Sequence, residues 1–299
     1  MPGYDASMDY GLCLPNTTDI ASPELIEAAA ETVERLEWRT IWTTDHVLVE
    51  RAAAATYGRV FEALETLAWV GSRHRSLQLG TSVIVVPQRN AVMVAKELAT
   101  LDALSGGRVV AGVGIGWDRK EFANLGMDDR FHVRGAYLDE AIRLWRHLWS
   151  GDEGPFEGRF HTLRDFVFGP LPAQRGSLPI VVGGGAAAAL HRAGTLGDGY
   201  QSTGTDPETY AGRAATVRAA ASAAHRPPTT LGARVRVRLD ATEGTGYGLR
   251  GSPETIAAGL RDFAAIGLDS IALAFEIDGP DQLVPAIERF DREVRPLVD

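Results

Sequence analysis

The chain has 299 residues, 45% of them hydrophobic and 23% charged, which is the make-up of an ordinary globular protein. Thirty Lys and Arg against 39 Asp and Glu give a net charge of −9, so the surface repels nucleic-acid phosphates, and no basic cluster offsets this. A single cysteine, Cys13, excludes an intrachain disulfide or a thiolate metal cluster.

Met1 to Asp9 carries neither a basic cluster nor an apolar run of signal-peptide length, and no stretch approaches the roughly 18 apolar residues of a membrane span. The expected compartment is the cytosol. Cys13 lies in an apolar run and reads as a buried thiol acting as a small hydrophobe.

In chain order, short β-like runs alternate with amphipathic helical stretches. The expected strands are Tyr10–Leu14, Thr40–Thr44, Leu77–Val83, Val109–Val113, Ile180–Val182, Gly199–Thr203, Ala233–Leu239 and Ser270–Phe275. Most are apolar at consecutive positions, as parallel strands covered on both faces require. Eight such strands joined by helices predict a closed (β/α)8 TIM barrel, a single domain over 1–299. Three helix starts share one device: Ser22-Pro23-Glu24, Asp206-Pro207-Glu208 and Ser252-Pro253-Glu254 each place a capping oxygen before a proline and an acid in the first turn. Gly151 to Ser177, rich in Gly, Pro and Phe, reads as an extended excursion or hairpin. Thr242 to Gly251, with four glycines in ten residues, reads as a mobile loop.

In such a barrel the functional groups come from loops that follow the strands. Gly183-Gly184-Gly185 opens the helix Ala186–Ala193, and glycine backbone at a helix start lets N–H groups approach an anion. The next strand ends Ser202-Thr203-Gly204, so two neighbouring loops are expected to share one phosphate. Strand two ends Trp42-Thr-Thr-Asp45-His46, placing a histidine where it can bind a cofactor or move a proton. No other His, Asp or Glu stands at ligand spacing from His46, so no metal is expected. Strand four, Val109 to Trp117, has glycines at 112, 114 and 116, three gaps on one face against which a planar ring could lie. His74, His147 and His225 read as solvated surface, whereas His132, His161 and His191 could approach the site.

Together these segments resemble the bacterial luciferase-like monooxygenase superfamily, and within it the deazaflavin (F420)-dependent oxidoreductases. The pieces that carry the resemblance are Tyr10-Gly-Leu-Cys-Leu-Pro15, Thr44-Asp-His-Val47, Leu79-Gly-Thr-Ser-Val83, Ser105-Gly-Gly-Arg108 leading into Gly112-Val-Gly-Ile-Gly-Trp117, Leu178-Pro-Ile-Val-Val-Gly-Gly184, and Gly197-Asp-Gly-Tyr-Gln-Ser202. The resemblance implies F420, or alternatively FMN, at the strand carboxyl ends. Asp45-His46 would then match the family's Asp-His pair near the hydride-bearing carbon. Thr81-Ser82-Val83 would match a bulge that backs the ring, often through a non-prolyl cis peptide. Gly116 would lie against the ring, and Gly183–Gly185 with Ser202–Gly204 would hold the phosphate.

The F420-dependent sugar-phosphate dehydrogenases place an acid after the strand-four glycines, where this chain has Trp117. They place a tryptophan four residues after the strand-two histidine, where it has Glu50. Glu50 and His46 are therefore the candidate proton-transfer groups, and Trp42, Trp117 and Tyr200 the expected apolar substrate pocket. The implied function is hydride transfer between F420 and a small organic substrate. The alternatives are an FMN monooxygenase fed by a separate reductase, and a cofactor-binding barrel without turnover. The family also implies a homodimer formed through helices near strands one to three.

Overall fold

A computed structural model describes residues 8–174 and 178–298. Eight parallel strands form the barrel: β1 Asp9–Cys13, β2 Thr40–Thr43, β3 Gln78–Thr81, β4 Val109–Gly114, β5 Ile180–Gly183, β6 Gly199–Thr203, β7 Thr230–Leu239 and β8 Ser270–Phe275. Each pairs with the next, and β8 returns to β1 in register Tyr10 with Ile271, closing the sheet. The principal helices follow the strands in turn: α1 Pro23–Arg35, α2 Ala63–Gly71, α3 Ala91–Ser105, α4 Arg134–Trp149, α5 Ala187–Thr195, α6 Pro207–Ala223, α7 Pro253–Ala265 and α8 Leu283–Glu293.

The consecutive apolar runs have the expected cause. Leu12, Ile41, Leu79, Ala111, Ile180, Ala233 and Ile271 are completely enclosed. These residues face the helices, and burial of a large aliphatic side chain there contributes about 1.5–3 kcal/mol. The capping oxygens also act as the sequence predicts: Ser22 accepts from the Leu25 N–H, Asp206 from Thr209 and Ser252 from Thr255.

The excursion after α4 contains the short antiparallel hairpin Phe156–Glu157 with Thr162–Leu163. The buried Glu140 of α4 fastens it, accepting from the backbone N–H groups of Arg159, Phe160 and His161. The end of that excursion, residues 175–177, lies outside the described residues. The glycine-rich segment after β7 differs from expectation. Its last four residues, Gly248–Gly251, form a strand parallel to β7 in register Arg236 with Gly248, because extended glycines offer backbone pairing without side-chain conflict.

Two further expectations fail. His74 is buried, with Nδ1 2.7 Å from Glu34. Cys13 is only half-buried, because strand alternation turns it into the barrel while Leu12 faces the helices. Burial pushes its thiol pKa up, and the Arg234 guanidinium beside it acts in the opposite sense.

Candidate active site at the barrel mouth

The segment after β3 shapes the mouth. The Ser82-Val83 peptide is cis, and Ile84–Val85 then pairs parallel with Val113 and Gly114 of β4. The strand-four glycines make room for this segment. A Cβ at Gly112 would lie 1.6 Å from the Thr81 carbonyl oxygen, one at Gly114 2.4 Å from Val83 Cγ2, and one at Gly116 2.6 Å from Val85 Cγ1. A Cβ at Gly183 would lie 2.7 Å from Val83 Cγ1. The gaps expected to receive a ring are thus filled by the protein's own chain, and Gly116 does not face open space.

Thr81 is fully enclosed and donates its hydroxyl to the Gly112 carbonyl at 2.7 Å. Ser82 donates across the lumen to Gln201 Oε1 at 2.6 Å. The Ser82 carbonyl accepts from Arg234, which leaves the half-buried Val83 as the member of the trio at the rim.

The loop after β2 is anchored by Asp45, which accepts from the Val85 N–H at 2.8 Å and from Arg89 at 2.6 Å. Asp45 is buried, so it positions the loop and does not line the mouth. His46, next in sequence, has its Nδ1 3.0 Å from Glu121 Oε2. Glu121 sits on a short helix, Arg119–Asn124, capped by Asp118, and is 1% exposed. It also accepts from the N–H groups of Val47 (2.6 Å) and Leu48 (3.1 Å) and from Gln88 Nε2 (3.0 Å). Burial by itself would raise this carboxyl, but the hydrogen bonds from His46, Val47 and Gln88, with attraction to the imidazolium that His46 becomes in acid, outweigh it and hold the pKa at about 2. An ionised carboxylate only accepts, so Nδ1 carries the hydrogen and Nε2 is the ring nitrogen free for chemistry.

Glu50 lies in the same loop with a different partner. Its N–H donates to Asp118 and its carboxylate pairs with Lys120 at the rim. Around His46 stand the rings of Tyr57 (4.3 Å between centroids) and Trp117 (5.9 Å). Trp117, Val47 and Leu48 are each about half exposed, forming an apolar lip.

The other two expected pocket residues lie elsewhere. Trp42 is buried inside the barrel over Gly11 and Gly80, below the lip. Tyr200 is fully enclosed and stacks on Tyr210 of α6 at 6.0 Å, because alternation along β6 sends Gln201 inward and Tyr200 toward the helices. Of the histidines thought able to approach, His161 instead pairs with Glu140 at 2.9 Å beneath the hairpin.

On the β5–β6 side the two expected anion-binding segments meet. Gly183 is in register with Gln201, so Gly184-Gly185 and Ser202–Gly204 leave the sheet side by side. Arg213 of α6 bridges them: it donates to Thr205 Oγ1 at 2.8 Å, and its guanidinium carbon lies 2.7 Å from where a Gly185 Cβ would stand. Ser202 Oγ is buried with no hydrogen-bond partner among the described residues. Thr203 and Gly204 are exposed beside it. A glycine turn, a guanidinium and an unpaired hydroxyl on these neighbouring segments match the chemistry of a phosphate ester.

This barrel matches known proteins over most of its length. Residues 8–245 match the luciferase-like monooxygenase family. The chain belongs to that family. Among curated proteins it is 34% identical over 190 residues to an F420-dependent glucose-6-phosphate dehydrogenase of Amycolatopsis mediterranei, covering 62% of this chain and 55% of that one. It is 35% identical over 162 residues to the enzyme of the same name from Kineococcus radiotolerans, covering 54% and 47%. The chain thus spans about half the length of these relatives.

Among solved structures, monooxygenase RslO1 of Streptomyces bottropensis superposes with a TM-score of 0.81 at 22% identity over 97% of this chain and 99% of that one. An F420-dependent secondary alcohol dehydrogenase carrying an F420-acetone adduct superposes with a TM-score of 0.83 at 16% identity over 98% and 99%. At such identities the likeness concerns the luciferase-like barrel itself.

Four residues of this family member escaped the sequence reading: Glu121, Tyr57, Arg213 and Arg234. Position 117 is a tryptophan, yet Glu121, four residues on, reaches His46. Helical periodicity from the Asp118 cap places Glu121 in the first turn, but nothing local pairs it with a residue 75 positions earlier.

Proposed function

We propose that the protein is an F420-dependent oxidoreductase that moves a hydride between the deazaflavin and a small uncharged alcohol or carbonyl compound. The observation that carries this reading is His46, oriented by a buried, ionised Glu121 at the barrel mouth beside the Ser82–Val85 segment. The curated relatives named above are F420-dependent dehydrogenases, which supports the choice of cofactor.

The residues fit the group. Gly183–Gly185, Ser202 and Arg213 would hold its phosphate, and Val83 would back the ring. When bound, the deazaflavin supplies the carbon that gives or accepts the hydride. His46 Nε2 takes the hydroxyl proton as an alcohol becomes a carbonyl and returns it in the reverse direction. Glu121 keeps the imidazole in that tautomer. Tyr57, Trp117, Val47 and Leu48 would exclude water and receive the apolar part of the substrate. Glu50, held by Lys120, would contribute to the rim and not to proton transfer.

Titrating the purified protein with F420 and with FMN, followed by absorbance and fluorescence, tests the reading. Tight binding of F420 is expected. Binding of FMN alone would favour a flavin monooxygenase supplied by a separate reductase. If His46→Ala changed no turnover of any accepted substrate, a binding barrel without catalysis would be the better account.

We also propose that the chain acts in the reducing cytosol, consistent with its lone cysteine. It would do so as a homodimer through the α1–α3 face, where a cleft of about 280 Å3 is lined by Pro23, Ile26, Phe61 and Trp69. Sedimentation would test the dimer.

A further inference from the structure

Arg234 stands on the inward face of β7, and three barrel strands separate β7 from β3 by either route, so the two are opposite walls. Its guanidinium crosses the lumen. Nη1 donates to the Ser82 carbonyl at 2.7 Å and Nη2 to Thr44 Oγ1 at 3.0 Å. Those acceptors belong to the two segments that flank the proposed ring site, one preceding Val83 and the other preceding Asp45-His46.

The neighbours of Arg234 in the paired strands are Thr203 and Ala272, neither of them charged. Among the described residues no carboxylate lies within ion-pair reach of it. The other arginines of this edge differ: Arg236 and Arg250 face Glu276, and Arg238 faces Asp278. A half-buried cation without a counter-ion is costly unless an anionic or strongly accepting group joins it. Two of the five guanidinium N–H groups are used by the contacts above and the Cys13 thiol takes another, so two remain.

We propose that Arg234 is the counter-charge for the reduced cofactor ring. This rests on the reading that a deazaflavin or flavin lies across the mouth. A hydride brings two electrons and one proton, so a neutral oxidised ring that accepts it gains one negative charge, which spreads over the pyrimidine nitrogen and adjoining carbonyl. A fixed guanidinium beside such a ring would stabilise the reduced form more than the oxidised one. Arg234 therefore biases the electron balance of the site without touching the substrate.

The test compares affinities for oxidised and reduced F420, measured anaerobically, in the wild type and in Arg234→Lys, Arg234→Gln and Arg234→Met. Gln keeps a donor amide on a shorter side chain but loses the charge, and Lys keeps the charge. Loss of charge in Gln and Met is expected to weaken binding of the reduced form about 5- to 100-fold more than the oxidised form, with Lys close to wild type. An equal loss for both forms in every variant, which a merely structural role would give, overturns the proposal. Failure of the wild type to bind either F420 or FMN in either state overturns the underlying cofactor reading, and this inference with it.

Discussion

Replacing Glu121 by Gln removes a charge while keeping shape, and the structure says what should follow. The carboxylate accepts four hydrogen bonds, from His46, Val47, Leu48 and Gln88. An amide turned to keep the two backbone donors on its oxygen presents N–H groups to His46 Nδ1–H and to the Gln88 amide, which are also donors. Each unsatisfied buried donor costs about 1–3 kcal/mol. A second route gives a similar size. The carboxyl is lowered from 4.5 to about 2, and at about 1.4 kcal/mol per unit this is on the order of 3 kcal/mol favouring the ionised folded state.

Because the folded pKa is depressed, that stabilisation is complete above about pH 4.5 and fades as pH falls toward 2. Urea unfolding at pH 7 should show Glu121→Gln about 2–4 kcal/mol less stable than wild type, and the gap should narrow at pH 3.5. Nitrogen NMR of the His46 ring should report the Nδ1–H tautomer in wild type and its loss in the variant. Equal stability at pH 7, or a gap that stays constant on acidification, would refute the claim that an ionised Glu121 orients His46.

Four other outcomes follow from the same geometry. His46→Ala should lower turnover about 100- to 10,000-fold while leaving F420 affinity within a few-fold, read from steady-state rates and a binding titration. Gly185→Ala would push aside the Arg213 guanidinium, whose carbon lies 2.7 Å from the new methyl. Affinity for F420 or FMN should fall about tenfold, with unfolding midpoints nearly unchanged because the displaced group is a flexible side-chain end. Gly112→Ala meets the Thr81 carbonyl at 1.6 Å and should cost about 3 kcal/mol or more, or prevent folding. Gly212→Ala, in open space inside α6, should instead stabilise by about 0.5–1 kcal/mol, and denaturant unfolding of the pair checks both.

The barrel was legible because a parallel strand covered by helices writes itself as consecutive apolar residues, as in Ile180-Val-Val182. The helix starts were legible because capping is local chemistry. The meeting of Gly183–Gly185 with Ser202–Gly204 followed from counting neighbouring strands. What failed was knowledge of facing. Tyr200 is one residue from Gln201 and two from Ser202, and only the register of β6 decides that Gln201 looks inward while Tyr200 stacks on Tyr210. The alternation Arg234-Val-Arg-Val-Arg238 went unread, although it is a polar face on β7 that a closed barrel turns to the lumen, and it could not have said that Ser82 would be waiting opposite. The partnership of His46 with Glu121 depends on how the β4 loop folds back, and no local pattern encodes it.

The glycines at 112, 114, 116 and 183 tie these features together. Each lacks the one atom that would collide with the chain between Thr81 and Val85. They let that chain enter the barrel wall, which brings the Ser82 carbonyl within reach of Arg234 and sets Val83 between β4 and β5. Val85, further along the same segment, receives Asp45 and so fixes the loop that presents His46. Backbone space on β4, charge on β7 and the orientation of a histidine in the loop after β2 are therefore linked through the five residues Thr81–Val85. A methyl group added at Gly112 should consequently be felt at His46, although Gly112 need touch neither cofactor nor substrate.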